Sequence, residues 1–211
     1  MEDEESPRRR RKRSGPPMGG GELEDEVELP PAPEGYEDYD YYEAGSDALQ
    51  TGDGGGFDAA PLDIDIEANT DNAIRSIGAF RFVNVVIPQG ATIDSAVLTL
   101  ETSAGGDLDP ALDIHGDDAD DSASFVATPS IVSRTFTTAS VAVTDPISAG
   151  QWTSPDISDV LQEIVDRAGW ASGNAMTIIL NGYSELGPDG VNFKSLAAGG
   201  VPSLTIFFSG G

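Results

Sequence analysis

The densest run of chemistry-bearing side chains is Asp117, Asp118, Asp120 and Asp121, four carboxylates within five residues. Such oxygens suit calcium, which takes roughly six to eight of them and tolerates irregular loops. Asp107, Asp109 and Asp113, around Pro110, form a second group of the same character. Neither follows the EF-hand pattern, because the central Gly and the distal Glu are missing. A calcium loop and a solvated acidic loop stand as the two readings of Asp117–Asp121. Covalent chemistry has little material. The chain has no cysteine and one histidine, His115, so any Ser-His-Asp or Cys-His arrangement would have to use that residue. His115 precedes the acidic loop without a nucleophile-elbow glycine pattern and reads as a strand-end residue. The acids are too numerous to single out a glycosidase pair. The expectation is a protein that is not an enzyme and has no resident cofactor, calcium aside. Trp152 and Trp170, the two tryptophans, would be sugar-stacking platforms if exposed. The turn around Gly169-Trp-Ala-Ser-Gly173 and the place of Trp152 ahead of a helix cap favour packing for both.

These residues sit among short strands broken by turns. Leu62–Glu67 alternates strictly between apolar and acidic side chains. Ala79–Ile87 alternates with Phe80, Phe82, Asn84 and Val86 on one face, and Pro88-Gln-Gly90 turns the chain into a strand over Thr92–Glu101. Further strands are expected at Ala111–His115, Ser130–Thr138, Val141–Thr144, Ala175–Asn181, Val191–Ser195 and Ser203–Phe208. About nine strands over this length fit a two-sheet antiparallel sandwich. One segment departs from period two. Ile157, Val160, Leu161, Ile164 and Val165 recur at helical spacing. They predict one helix over residues 155–167, with Ser154 or Asp156 as cap and Gly169 as terminator.

Lys and Arg number 11 and Asp and Glu 37, a formal charge of -26. Phosphate contacts need Lys and Arg, so nucleic acid and anionic membranes are expected not to be partners. Cations, a basic protein surface or a neutral ligand fit better. No run approaches the ~18 apolar residues of a membrane span, and the first residues show no apolar signal core. Composition divides the chain near residue 56. Residues 1–56 hold 16 acids and 6 bases with repeated Gly and Pro. They read as a flexible charged arm with too little apolar surface to order itself. The expected domain is residues 57–211, able to fold without the arm. Within the arm, Arg8, Arg9, Arg10, Arg11 and Arg13 form a basic run. It reads either as a clamp on an acidic partner or as a solvated charge run. Tyr36, Tyr39, Tyr41 and Tyr42 offer rigid contact area for a partner groove or for a homo-oligomer, trimeric in expectation.

Four segments of residues 62–208, Pro88–Leu100, Ile114–Phe125, Pro155–Ala175 and Pro202–Phe208, resemble the jelly-roll β-sandwich modules of the carbohydrate-binding-module and DNRLRE-like type. Such modules occur in bacterial extracellular proteins and in virion proteins of tailed phages. The helix followed by Gly169-Trp-Ala-Ser-Gly-Asn174 is the most specific part. The resemblance implies an all-β, jelly-roll-like antiparallel sandwich with one short helix. Secreted versions usually carry a signal peptide and many domains. A single module behind a charged arm instead implies a phage virion protein exposed on the particle. It would be a capsid decoration, head-fibre or tail-attached protein that meets major capsid or tail proteins through its arm, and would be extracellular after release. The alternative it implies is a module for cell-surface or extracellular polysaccharide.

Overall fold

The computed structural model describes residues 10–12, 40–51, 56–66, 76–102, 112–126, 131–182 and 191–210. In chain order the strands are β1 (Arg10–Lys12), β2 (Asp40–Glu43), β3 (Ser46–Thr51), β4 (Phe57–Asp58), β5 (Asp63–Ile66), β6 (Ser76–Phe82) and β7 (Thr92–Glu101). Then come β8 (Leu112–Gly116), β9 (Val141–Val143), β10 (Gln151–Thr153), the helix α1 (Ser158–Val165), β11 (Met176–Gly182), β12 (Val191–Lys194) and β13 (Ser203–Ser209). One sheet runs β1-β2-β13-β7-β10, the other β4-β3-β6-β11-β8-β9, and β12 pairs with β5 beside them. Phe80, Ile114 and Ile178 of the second sheet share one buried cluster with Tyr42, Leu98 and Ile206 of the first. The two layers therefore make a jelly-roll-like antiparallel sandwich, with β1 the parallel exception at a sheet margin. No helix among the described residues is long and apolar enough to cross a membrane.

β7 shows how sequence becomes layer. Its even positions Ala96, Leu98 and Leu100 are buried, yet so is Ile93. The phase changes at a bulge, where the register shifts between Phe207 and Phe208 of the partner strand, and one extra residue re-aims the side chains that follow. A second change of phase cuts β6 short. The expected strand to Ile87 stops at Phe82, because Asn84 adopts φ 56, a left-handed conformation that Asn tolerates. Beyond it Val85 and Ile87 are buried rather than Val86. The expected strand at Ser130–Thr138 is instead a 3-10 turn at Ile131–Ser133 followed by a single bridge from Phe136 to Asp117.

The sandwich does not begin at Phe57. β3 lies between β4 and β6, and β2 lies between β1 and β13, so residues assigned to the arm supply three strands, two of them inside the sheets. Tyr42 is fully buried in the common core. Its hydroxyl donates to Asp40 Oδ2 at 2.7 Å and accepts from the Val86 N–H at 3.0 Å. Burial, reinforced by the Asp40 carboxylate, pushes this phenol above its ordinary range. The polar composition of Asp40–Thr51 hides both strands because three of the side chains they bury, Asp40, Asp47 and Gln50, are polar.

α1 is shorter than expected and is entered differently. Ser154 and Asp156 fasten the approach to β7, accepting from the Leu98 and Ala96 N–H groups at 3.0 and 2.9 Å. Asp156 Oδ1 also accepts from the Ser158 N–H at 3.0 Å, at the first turn. Val160, Leu161, Ile164 and Val165 are buried as their spacing requires.

Candidate functional site

β8 delivers the chain to the acidic loop through Gly116. A Cβ there would lie 2.6 Å from the Ile164 Cδ1 of the helix, so β8 and α1 approach closely at this glycine. Backbone bonds then set the loop. Asp117 N–H donates to Thr177 O at 3.0 Å, Asp118 N–H to Thr135 O at 2.8 Å and Ser122 N–H to Ala175 O at 2.9 Å. The chain continues over the outer face of the second sheet. There Phe125 and Ile131, with half-buried Phe57 and Phe136, cover Ala48, Ile77, Ala79 and Ile179.

The four carboxylates do not converge on a common point. They are divided among different donors. Asp117 pairs with Arg134, the two side chains 6% and 5% exposed. Ser122 Oγ donates to Asp117 Oδ2 at 2.6 Å. The same guanidinium reaches Ser122 Oγ at 3.0 Å and Ala123 O at 2.8 Å, and it sits 5.1 Å above the Phe125 ring. Its Nε–H is buried without an acceptor, so the pair is tight but not fully satisfied. Asp118 and Asp120 both pair with Arg167, which is more exposed. Hydrogen bonds donated to Asp120 and Asp118 hold that guanidinium above its usual range. Asp121 Oδ1 accepts from the Ala175 N–H at 2.9 Å. Gly169 admits the contact on the helix side, since a Cβ there would overlap Asp120. No group of three or more His, Asp or Glu among the described residues is arranged to hold a metal ion. Asp113 lies in β8, and Asp107 and Asp109 fall outside the described residues.

Three arginines distant in sequence tie the loop down. Arg81 adds a third tie, its Nε donating to Ser122 O at 2.8 Å. Burial holds Arg81 below its usual range, opposed by the charge of Asp121. Lys194 pairs with Glu101, and Arg75 lies outside the described residues. Every described base of residues 57–211 is therefore bonded to an acid or a carbonyl of the same chain. Few bases in an acidic chain leave each with acceptors close by, and that scarcity is visible in the composition.

His115 in β8 is half-buried, its Nδ1 3.1 Å from Thr137 O and its ring 5.4 Å from Phe136. Trp170 is buried and donates from Nε1 to Ile87 O at 3.0 Å, so it is no platform. Trp152 lies in β10, half-buried, with its ring 5.4 Å from Phe193. Arg10 and Arg11 belong to β1, whose register sets Arg10 against Asp40 and Arg11 against Tyr41. Tyr41 is half-buried in β2. Arg8, Arg9, Arg13, Tyr36 and Tyr39 lie outside the described residues. The sequence matches no protein-family model, and no curated protein matches it.

Proposed function

We propose that this chain is a structural, non-enzymatic protein on the outside of a tailed-phage virion, bound to capsid or tail proteins. The observation that supports this reading best is charge partition. The described bases of the sandwich are engaged within the chain, while the whole carries -26. Such a surface attracts a basic partner and keeps the domain soluble. The arm offers the reverse, a basic strand at a sheet margin. A module that holds on by strand pairing and charge is a building block. The test is recovery with purified particles: a fixed copy number per particle supports the reading, and absence from particles sinks it.

A polysaccharide-binding reading retains one support. Trp152 is only half-buried on β10, at the margin of the first sheet. Glycan-array binding by the full chain that disappears on Trp152→Ala would favour it.

A further inference from the structure

We infer that the flank of the sandwich bearing β9 and β10 joins two copies of this chain, β10 pairing antiparallel with β10 of the second copy about a two-fold axis at Trp152. β10 ends the first sheet beside β7, and β9 ends the second beside β8. Both margins lie on one flank, since β2 and β3, which follow each other closely in the chain, stand second from the opposite end of each sheet. Residues 135–155 include both strands and hold one charged residue, Asp145, in a chain of 37 acids and 11 bases. The opposite margins carry Arg10, Arg11 and Lys12 in β1 and Asp58 in β4. Charge on a sheet margin discourages pairing with another chain, and the β9 and β10 margins have none.

The backbone of β10 is ready for such a partner. The Ser154 N–H donates to Leu98 O at 2.8 Å and the Thr102 N–H to Gly150 O at 2.9 Å. Alternate groups of the strand thus face β7, and the N–H and C=O of Gln151 and Thr153 face away from it. Among the described residues β10 pairs with β7 alone. The strand is also its own complement. Antiparallel pairing centred on Trp152 sets Gln151 opposite Thr153 of the second copy, each pair exchanging both of its hydrogen bonds. Trp152, half-buried with its ring 5.4 Å from Phe193, then meets its counterpart at a non-hydrogen-bonded position. Side chains come closest there, and an aromatic pair stabilises the contact. Charge selects the occupant. Copies that each carry -26 repel, and they meet with least repulsion where the acids are absent. A basic partner has nothing to grip on this flank. The inference does not rest on the virion reading.

Sedimentation velocity of the full chain from about 1 μM to about 1 mM, the span of moderate to weak association, should show a dimer forming. Salt should strengthen it, because the acids of both copies are screened while the contact itself is uncharged. Far-ultraviolet circular dichroism should carry the exciton couplet of two neighbouring indoles, lost on dilution and on Trp152→Phe. Gln151→Glu should weaken the dimer about tenfold, two altered cross-strand pairs acting together. Adding Thr153→Lys should restore it, since each Glu then faces a Lys of the other copy. Both positions are exposed, and matching melting curves of the dilute proteins confirm that folding is intact. A chain monomeric throughout would overturn the inference and leave the margin to a strand of another protein. A dimer that salt weakens, or that ignores Gln151→Glu, would overturn it too, as would a loss that Thr153→Lys fails to restore.

Discussion

Two acidic segments of this chain, one within the expected flexible arm and one expected as a calcium or solvated loop, are built in opposite ways. Asp40–Thr51 is held by the ladder of both sheets and by a phenol sunk in the core. Asp117–Ser122 is held from outside by three arginines drawn from β6, the turn after Ile131–Ser133 and the end of the helix. The first is secured by apolar burial and backbone pairing, which respond little to salt. The second is secured by charge, whose worth depends on how dry the pair is. An acidic stretch is therefore no guide to exposure until the side chains between the acids and the bases far away in sequence are both accounted for.

Truncation separates the two most sharply. Starting the chain at Phe57 removes β2, β3 and Tyr42, leaving β6 and β13 with open margins. The expected result is loss of the cooperative thermal transition and aggregation. Starting at Tyr39 keeps both strands and should retain the transition. A sharp melt from the shorter product would show that the first segment is an accessory.

The next largest effect falls on the second segment. Arg134→Ala leaves the Asp117 carboxylate buried without its cation, a loss of about 3–5 kcal/mol. At about 2–4 °C for each kcal/mol in a domain of this size, Tm should fall by about 6–20 °C. Asp117→Ala combined with Arg134→Met should recover much of that loss, since an apolar pair avoids the desolvation cost. A double variant no better than the single would mean that Arg134 acts through Ser122 and the loop carbonyls instead.

How far the sequence was legible follows the same division. Period-two patterns at Leu62–Glu67 and Thr92–Glu101 and the helical spacing from Ile157 to Val165 read directly onto β5, β7 and α1, because each buries a whole face. β2 and β3 did not, because Asp40, Asp47 and Gln50 are buried polar residues that break the alternation at the positions where it would have shown. The loop was legible as acidic but not as tied, since its partners Arg81, Arg134 and Arg167 are distant in the chain or belong to other elements. Local spacing carries no record of such pairings.

A milder change tests the exposed side of the same loop. Arg167 pairs with Asp118 and Asp120 where water competes, so Arg167→Ala should cost only about 0–1 kcal/mol. Salt should erase even this difference, because the screening length at about 1 M is near 3 Å. Melting curves of parent and variant at low and high salt provide the check. A deficit as large as that of Arg134→Ala would mean that the two arginines hold the loop as one unit.

The smallest effect returns to the first segment. Asp47 in β3 is buried, its carboxylate accepting from the Leu196 N–H at 2.7 Å. Burial raises its pKa, with the charge of Asp58 acting in the same direction. A carboxyl raised in the folded state destabilises the fold when ionised. The penalty is complete above the folded pKa, declines as pH falls through it, and vanishes below the ordinary carboxylate range, where both states are protonated. Asp47→Asn keeps an acceptor for Leu196 and cannot ionise. It should therefore raise Tm at neutral pH, with the gain shrinking steadily as the medium is acidified toward about pH 4. Parallel denaturation series of the two proteins across that range measure it. A variant less stable at neutral pH would mean that the ionised carboxylate is held by more than the Leu196 N–H, and that this segment, like the loop, depends on charge.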